Sequence, residues 1–268
     1  MSRKARLAKT ALSVTAIAAQ ICAFCAPATA IPRYPWHSET AVTATLADRI
    51  QPPSAFQRIP VEPGSFAAWL RGLPVKPPQS LVRLYDGRPK WNQQLHVAVI
   101  EIDTGIQDLQ QCADAVMRLR AEYLLASGRT RDIGFNDSKG KPQPFKGDPK
   151  DYAGFRRYMD KVFSFAGSYS LEHEMRPVLP SEMQIGDVFI KGGFPGHAVL
   201  IVDLALNPAN GEKRFLLLQS YMPAQDMHIL KNPKMPDGSP WYPVPGEKEQ
   251  LVTPEWTFPP GALRRFKN

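Results

Sequence analysis

Three cysteines occur in the 268 residues, and two of them, Cys22 and Cys25, fall in a leader-like N-terminal segment, so Cys112 is the one thiol left to a folded domain. Two of the five histidines lie in the stretch Gly186 to Asn232, GDVFIKGGFPGHAVLIVDLALNPANGEKRFLLLQSYMPAQDMHILKN. A cysteine hydrolase needs a thiol, an imidazole that takes its proton, and a polar group that holds the ring in one tautomer. His197 opens the apolar run Ala198 to Val202, which Asp203 closes, while Gln219 and Ser220 close the run Phe215 to Leu218. This arrangement predicts a cluster of polar side chains at one rim of a sheet. If the loop Asn207 to Gly211 turns near Ala209, His197 faces the neighbourhood of Tyr221. An even register then makes Gln219 its diagonal neighbour on the same face, and an odd register selects Ser220. Cys112, His197 and Gln219 are therefore the candidate catalytic set, since an amide oxygen accepts a hydrogen bond from an imidazole. Gln110 and Gln111, beside the cysteine, are candidate donors to an oxyanion.

Single residues of these types are more often structural. Free cysteine packs as a small hydrophobe, and a histidine at a strand end often does no more than cap it. On that alternative the Gly-rich turn Gly192 to Gly196, with Gly193, Gly196, Asp203, Ser220 and Tyr221, is a binding surface for a glycan, peptide or protein partner. A zinc site built from Asp226, His228 and His197 has the right donor types, but no HExxH or CxxC accompanies them. The reading therefore calls for no metal and no cofactor, and no P-loop or dinucleotide fingerprint is present.

The elements that must position these groups follow from apolar spacing. Val188 to Ile190, Ala198 to Val202 and Phe215 to Leu218 are short aliphatic runs bounded by Gly, Pro and Asn, which predicts strands near 187–191, 197–204 and 214–220. Thr104 to Gln107 fits a capping box, and Leu109, Cys112, Val116, Leu119 and Tyr123 form an apolar stripe, so a long helix is expected over 105–126 with Arg118 and Glu122 mostly off its buried face. Ser65 caps a short helix Phe66 to Arg71, and Tyr152 to Ala166 reads as a further helix. Leu81 to Tyr85 and Leu95 to Ile102, around Asp86-Gly87, read as a hairpin with His96 partly buried in its second strand. Residues 129–150 read as a long loop, 167–180 as a connector with His173 and Glu174 in solvent, and 233–268 as a Pro- and Trp-rich tail. The expected fold class is α+β, an antiparallel sheet packed on one long helix.

Arg3, Lys4, Arg6 and Lys9, the apolar stretch Thr10 to Ala26, and Ala28-Thr29-Ala30 predict a signal peptide over residues 1–30 with cleavage after Ala30. Residues 31–60 read as a Pro-rich extension and 61–268 as one domain. Loss of the four leader cations lowers the net charge from +8 to +4. That mild balance, without Lys/Arg blocks interleaved with aromatics, argues against a nucleic-acid partner and is compatible with anionic envelope polymers. No second apolar span follows the leader. The oligomeric state is unreadable, and the expected place is the periplasm or the exterior.

GGFPGHA, LLLQSYMPAQDMHILKNP, NQQLHVAVI and DLQQCADAVMRLRAEYL resemble a family of exported bacterial proteins catalogued as domain of unknown function 4846. The resemblance covers roughly residues 60 to 266 and implies membership without a mechanism. A looser resemblance is to the NlpC/P60 and CHAP groups of papain-like cell-wall hydrolases. Those order a cysteine on a helix, a Gly-Asp strand, a strand opening with Gly-His, and a strand carrying a third polar residue. Cys112, Gly186-Asp187, Gly196-His197 and Gln219 or Ser220 stand in that order. In those hydrolases the cysteine lies in the first turn of its helix, whereas the helix expected over 105–126 puts Cys112 two turns in. The resemblance implies a thiol of lowered pKa that hydrolyses peptide or amide bonds of the cell wall.

Overall fold

The structure is a computed structural model that describes residues 34–37 and 44–267. The predicted signal peptide and part of the Pro-rich extension lie outside the described residues. Along the chain the elements are α1 (Leu46–Arg49), β1 (Gln57–Arg58), α2 (Phe66–Arg71), β2 (His96–Val99), α3 (Cys112–Ala126), β3 (Gly134–Asn136), β4 (Pro142–Pro144), α4 (Tyr152–Phe165) and α5 (Ser168–Glu174). Then follow β5 (Arg176–Pro177), β6 (Val188–Lys191), β7 (His197–Leu206), β8 (Lys213–Gln219), β9 (His228–Leu230), β10 (Tyr242–Pro243), β11 (Leu251–Val252), β12 (Thr257–Phe258) and β13 (Leu263–Arg265).

The expected α+β class is what the chain adopts. The β7–β8 hairpin is the axis of an antiparallel sheet ordered β2-β9-β8-β7-β6-β13-β5, with β1 and β10 pairing the ends of β7 and β8 nearest the turn. β7 is buried from His197 to Ala205, as expected of a strand covered on both faces. Strand alternation puts Ser220 and Asp203 on one face, where Ser220 meets Gln110 in the approach to α3 and Asp203 meets Arg71 of α2. The other face carries Phe189, His197, Phe215 and Gln219, and on it lie Tyr242 and the β11–β12 turn with Trp256 and Phe258. β13, from the Pro- and Trp-rich tail, sits inside the sheet between β6 and β5.

α2 has the expected bounds, with the Ala68 amide donating to Ser65 Oγ at 3.1 Å and Gly72 at its end. α3 begins seven residues later than the expected start at Gly105. Gly105 takes φ +86° and breaks the turn, Asp108 Oδ1 is drawn away by the Ala224 amide at 2.6 Å, and the working box is Gln111 with Asp114, whose Oδ2 accepts from the Gln111 amide at 3.0 Å. α3 is also buried on nearly every side, Arg118 and Glu122 included, because sheet, α2, α4 and α5 all pack on it.

Three other expectations change. The Asp86-Gly87 turn forms, but Val82 and Leu84 close against Lys90 and Arg88, and His96 to Val99 pairs with β9 instead. Residues 134–144 form a hairpin on α5, hidden from pattern reading because Gly-Phe-Asn and Pro-Gln-Pro are poor strand formers. Glu174 is half buried, its Oε1 accepting from the Asn136 amide at 2.7 Å, and burial pushes its carboxyl up to about 7; His173 is exposed as expected.

Candidate active site

The late start of α3 makes Cys112 its first residue. First-turn amides of a helix lack partners within the helix and point out along its axis, and here the amides of Cys112 and Ala113 face the thiol. The Ala198 amide, one residue beyond His197 in β7, likewise favours the thiolate form of this sulfur, against the larger effect of burial. Cys112 thus meets the sheet where β7 begins. Among the described residues no hydrogen bond joins its sulfur to the imidazole.

Which polar residue faces His197 is decided by one extra residue. Near the rim Leu200 pairs with Leu218 and Ile201 with Leu217, whereas beyond it Asp203 pairs with Leu216, so Val202 is a bulge. Extended to the rim, the first register sets His197 opposite Tyr221 and puts Gln219 on its face. The second would set His197 opposite Met222 and select Ser220. His197 Nε2 accordingly donates to Gln219 Oε1 at 3.0 Å, and Tyr221 crosses the imidazole edge-on at 4.9 Å between centroids. Trp256 and Phe258 pack on the ring at 5.4 and 5.7 Å.

Burial sets the charge state of this group. The Cys112 thiol is pushed up to about 11 by desolvation, with Asp114 adding to it, and His197 is pushed down to about 4 by desolvation against the hydrogen bond to Gln219. The resting pair is thiol and neutral imidazole, which overturns the expected low-pKa thiolate: helix amides do not offset the loss of water around the sulfur.

Several candidates are engaged elsewhere. Asp203 lies six residues along β7 from His197, about 20 Å at strand rise, where its oxygens accept from Arg58 Nε at 2.7 Å and Arg71 Nε at 2.8 Å. Ser220 Oγ donates to Gln225 O at 2.8 Å on the opposite face. Asp187 is held by Arg265 at 2.6 Å. Gln110 Oε1 accepts from Arg118 while its amide nitrogen donates to Asp103 O, and Gln111 Nε2 donates to Asp108 Oδ1, so neither side chain serves an oxyanion. In the Gly-rich turn Gly192 gives its amide to Glu172 Oε2 at 3.0 Å, Gly193 takes φ +127°, and a Cβ on Gly196 would collide with Ser168 Oγ and two carbonyls. Gly192 and Gly196 answer to the packing of α5. Asp226 turns away to Lys76 Nζ at 2.9 Å and the Arg83 amide, and no group of three metal-ligating side chains assembles among the described residues.

Residues 46–147 and 142–265 match the family described as a domain of unknown function (4846). The chain belongs to that family. Membership agrees with the motif resemblance around GGFPGHA and LLLQSYMP and brings no reaction with it. Comparison with curated proteins and with solved structures gave no match. No helix among the described residues is long and apolar enough to cross a membrane.

Pattern reading missed Lys90, Glu255 and Trp256, and weighed His228 only as a zinc ligand. Glu255 Oε2 accepts from both Gln219 Nε2 and Lys90 Nζ at 2.6 Å, and His228 Nε2 lies 3.4 Å from the Gln219 nitrogen. Nothing local in the sequence marks them, since they meet Gln219 only through sheet order and the β11–β12 turn.

Proposed function

We propose that this member of the family is an exported cysteine hydrolase with a papain-like core, acting on peptide or amide bonds of the bacterial cell envelope. The observation that carries the reading is Cys112 at the first position of α3, beside the strand whose first residue, His197, is oriented by Gln219 at 3.0 Å. Because the resting pair is neutral, His197 Nδ1 takes the thiol proton as sulfur attacks the carbonyl carbon, as an alcohol nucleophile requires. The carbonyl oxygen becomes the oxyanion and takes hydrogen bonds from the first-turn amides. Collapse breaks the C–N bond, Nδ1–H passes its proton to the leaving amine, and water, deprotonated by the same nitrogen, releases the acid and regenerates the thiol. Substrate reaches the sulfur by displacement of Tyr221 and Trp256, both only half buried. The leader residues and the mildly basic mature chain support a periplasmic or secreted site of action.

The test is incubation of the purified protein with cell-wall muropeptides and mass spectrometry of the products. Release of amine-bearing fragments that vanishes in Cys112→Ser and His197→Ala supports the proposal. Alkylation of Cys112 by iodoacetamide only after unfolding, with no product in the wild type, sinks it.

One observation favours a non-catalytic binding protein instead. Phe194, Ile106 and Trp91 are 98%, 90% and 87% exposed, and each sits on a loop leading to a site residue: Phe194 before His197, Ile106 before Cys112, Trp91 after Lys90. Exposed apolar side chains, two of them aromatic, suit recognition of an envelope glycan, peptide or protein. Retention of such a ligand by Cys112→Ala with unchanged affinity, and no turnover by wild type, identifies this case.

A further inference from the structure

The orientation of the Gln219 amide is fixed by its neighbours, and it decides which nitrogen of His197 is basic. His228 Nδ1 lies 2.8 Å from the Asp226 carbonyl oxygen, which only accepts, so Nδ1 carries the proton. Complete burial holds His228 neutral, far below the ordinary histidine range. Its Nε2 is therefore a bare acceptor, 3.4 Å from Gln219 Nε2. Glu255 Oε2, 2.6 Å from the same nitrogen, is also an acceptor, and it accepts from Lys90 Nζ at 2.6 Å as well. Both neighbours on that side of the amide demand hydrogens. The Gln219 NH2 must point at them, its oxygen must point at His197, and His197 Nε2 must donate. An inverted amide would set oxygen against a carboxylate and a lone pair, a buried mismatch of the kind that costs about 1–3 kcal/mol per group.

We propose that Glu255 and His228 are positioning residues that lock the Gln219 amide, so that His197 is held as the Nε2–H tautomer with Nδ1 free as the base. The inference rests on the hydrolase reading for its purpose, though not for its geometry. The Thr253 to Trp256 turn, closed by the Thr253 amide donating to Trp256 O at 2.8 Å, delivers Glu255 to Gln219 and Trp256 to the imidazole together. The C-terminal segment is thus part of the site.

The tautomer is read directly from the 15N shifts of His197 in the labelled protein, with no need for substrate. The wild type and Glu255→Gln, which keeps an acceptor oxygen, are expected to show one tautomer protonated at Nε2. Lys90→Met/Glu255→Leu removes the acceptor without stranding the lysine, and is expected to mix the tautomers and slow Cys112 alkylation at least about tenfold, in line with the large cost of a wrong imidazole tautomer in hydrolase triads. A double variant that keeps the single Nε2–H tautomer overturns the lock. Should that variant not fold, exchange of the two Gln219 side-chain hydrogens in the wild type decides: both slow supports the lock, either at the rate of a free amide overturns it. A wild type with the predicted tautomer but no turnover rejects the hydrolase reading and leaves the lock standing.

Discussion

Two buried polar clusters flank α3, and they solve the problem of burial differently. Along the helix, Arg118 Nε donates to Glu122 Oε1 at 2.6 Å, its other nitrogens reach Gln110, Asp103 and Tyr152, and Tyr152 donates back to Glu122 at 2.8 Å. At the helix start, His197, Gln219, His228, Glu255 and Lys90 form the second cluster. In the first, a guanidinium that keeps its proton sets the direction of every hydrogen bond it makes. In the second, two imidazoles each have a choice of tautomer, and an amide makes that choice for one of them. Burial is common to both, and so is no guide to function. What separates them is an imidazole whose tautomer its hydrogen-bond partner decides.

The largest expected effect breaks the comparison on its inert side. Arg118→Ala strands Glu122 in the core and is expected to lower unfolding stability by about 3–5 kcal/mol, measured by urea denaturation, while Cys112 in the folded fraction alkylates at the wild-type rate. A large change in that rate would mean that the clusters are coupled.

Acid titration sharpens the other side. His197 falls from an ordinary 6.5 to about 4 in the folded protein, so between these values the unfolded chain binds the extra proton. The stability conferred by its neutral burial is therefore complete above pH 6.5 and lost as pH falls through about 4, on the order of 3 kcal/mol from this one group. Denaturation curves taken from pH 7 to 4 should show the decline, and His197→Gln should flatten it.

Gln219→Leu removes the amide from the middle of the second cluster. The expected loss is about 1–3 kcal/mol from unsatisfied neighbours, smaller than for Arg118→Ala, yet with a fall in Cys112 alkylation that Arg118→Ala does not share. Equal effects of the two variants on the thiol would erase the distinction.

Asp114 gives an effect of opposite sign, a gain. Burial raises its carboxyl to about 8 against an ordinary 3.8, so its contribution to stability is greatest below pH 3.8 and is lost as pH rises toward 8. Asp114→Asn keeps an oxygen for the Gln111 amide and carries no charge. It is expected to match the wild type near pH 4 and to be the more stable of the two at pH 8 in urea denaturation, with the thiol pKa moving down since Asp114 helps to raise it.

Much of the scaffold was legible from residue patterns. β6, β7, β8, α2 and α4 stand within a few residues of their expected bounds, because aliphatic runs and a Ser or Asp cap are local signals. The pairing of His197 with Gln219 was legible as one of two registers; choosing between them required knowing that Val202 bulges, which depends on packing across the whole sheet. The helix starts later than the pattern predicts because Gly105 takes φ +86° inside the expected first turn, while Gln111 and Asp114 form the cap of a helix that begins seven residues on, at Cys112. Glu255 and Lys90 were invisible because 165 residues separate them and no spacing rule connects them.

The Val202 bulge behaves like a dislocation in a crystal: rows on its two sides are out of step by one lattice unit, and the mismatch stays put. Deleting that residue heals the dislocation and slides every rim position of β7 by one step against β8, so that His197 would meet a hydroxyl, Ser220, in place of an amide, with no side chain substituted. The identity of the third polar group is therefore encoded by chain length within a strand as much as by residue type. Insertions or deletions of one residue between His197 and Asp203 are expected to alter the chemistry of this rim more than most substitutions do, while changes of length at the exposed tip Asn207 to Gly211 are absorbed at the turn.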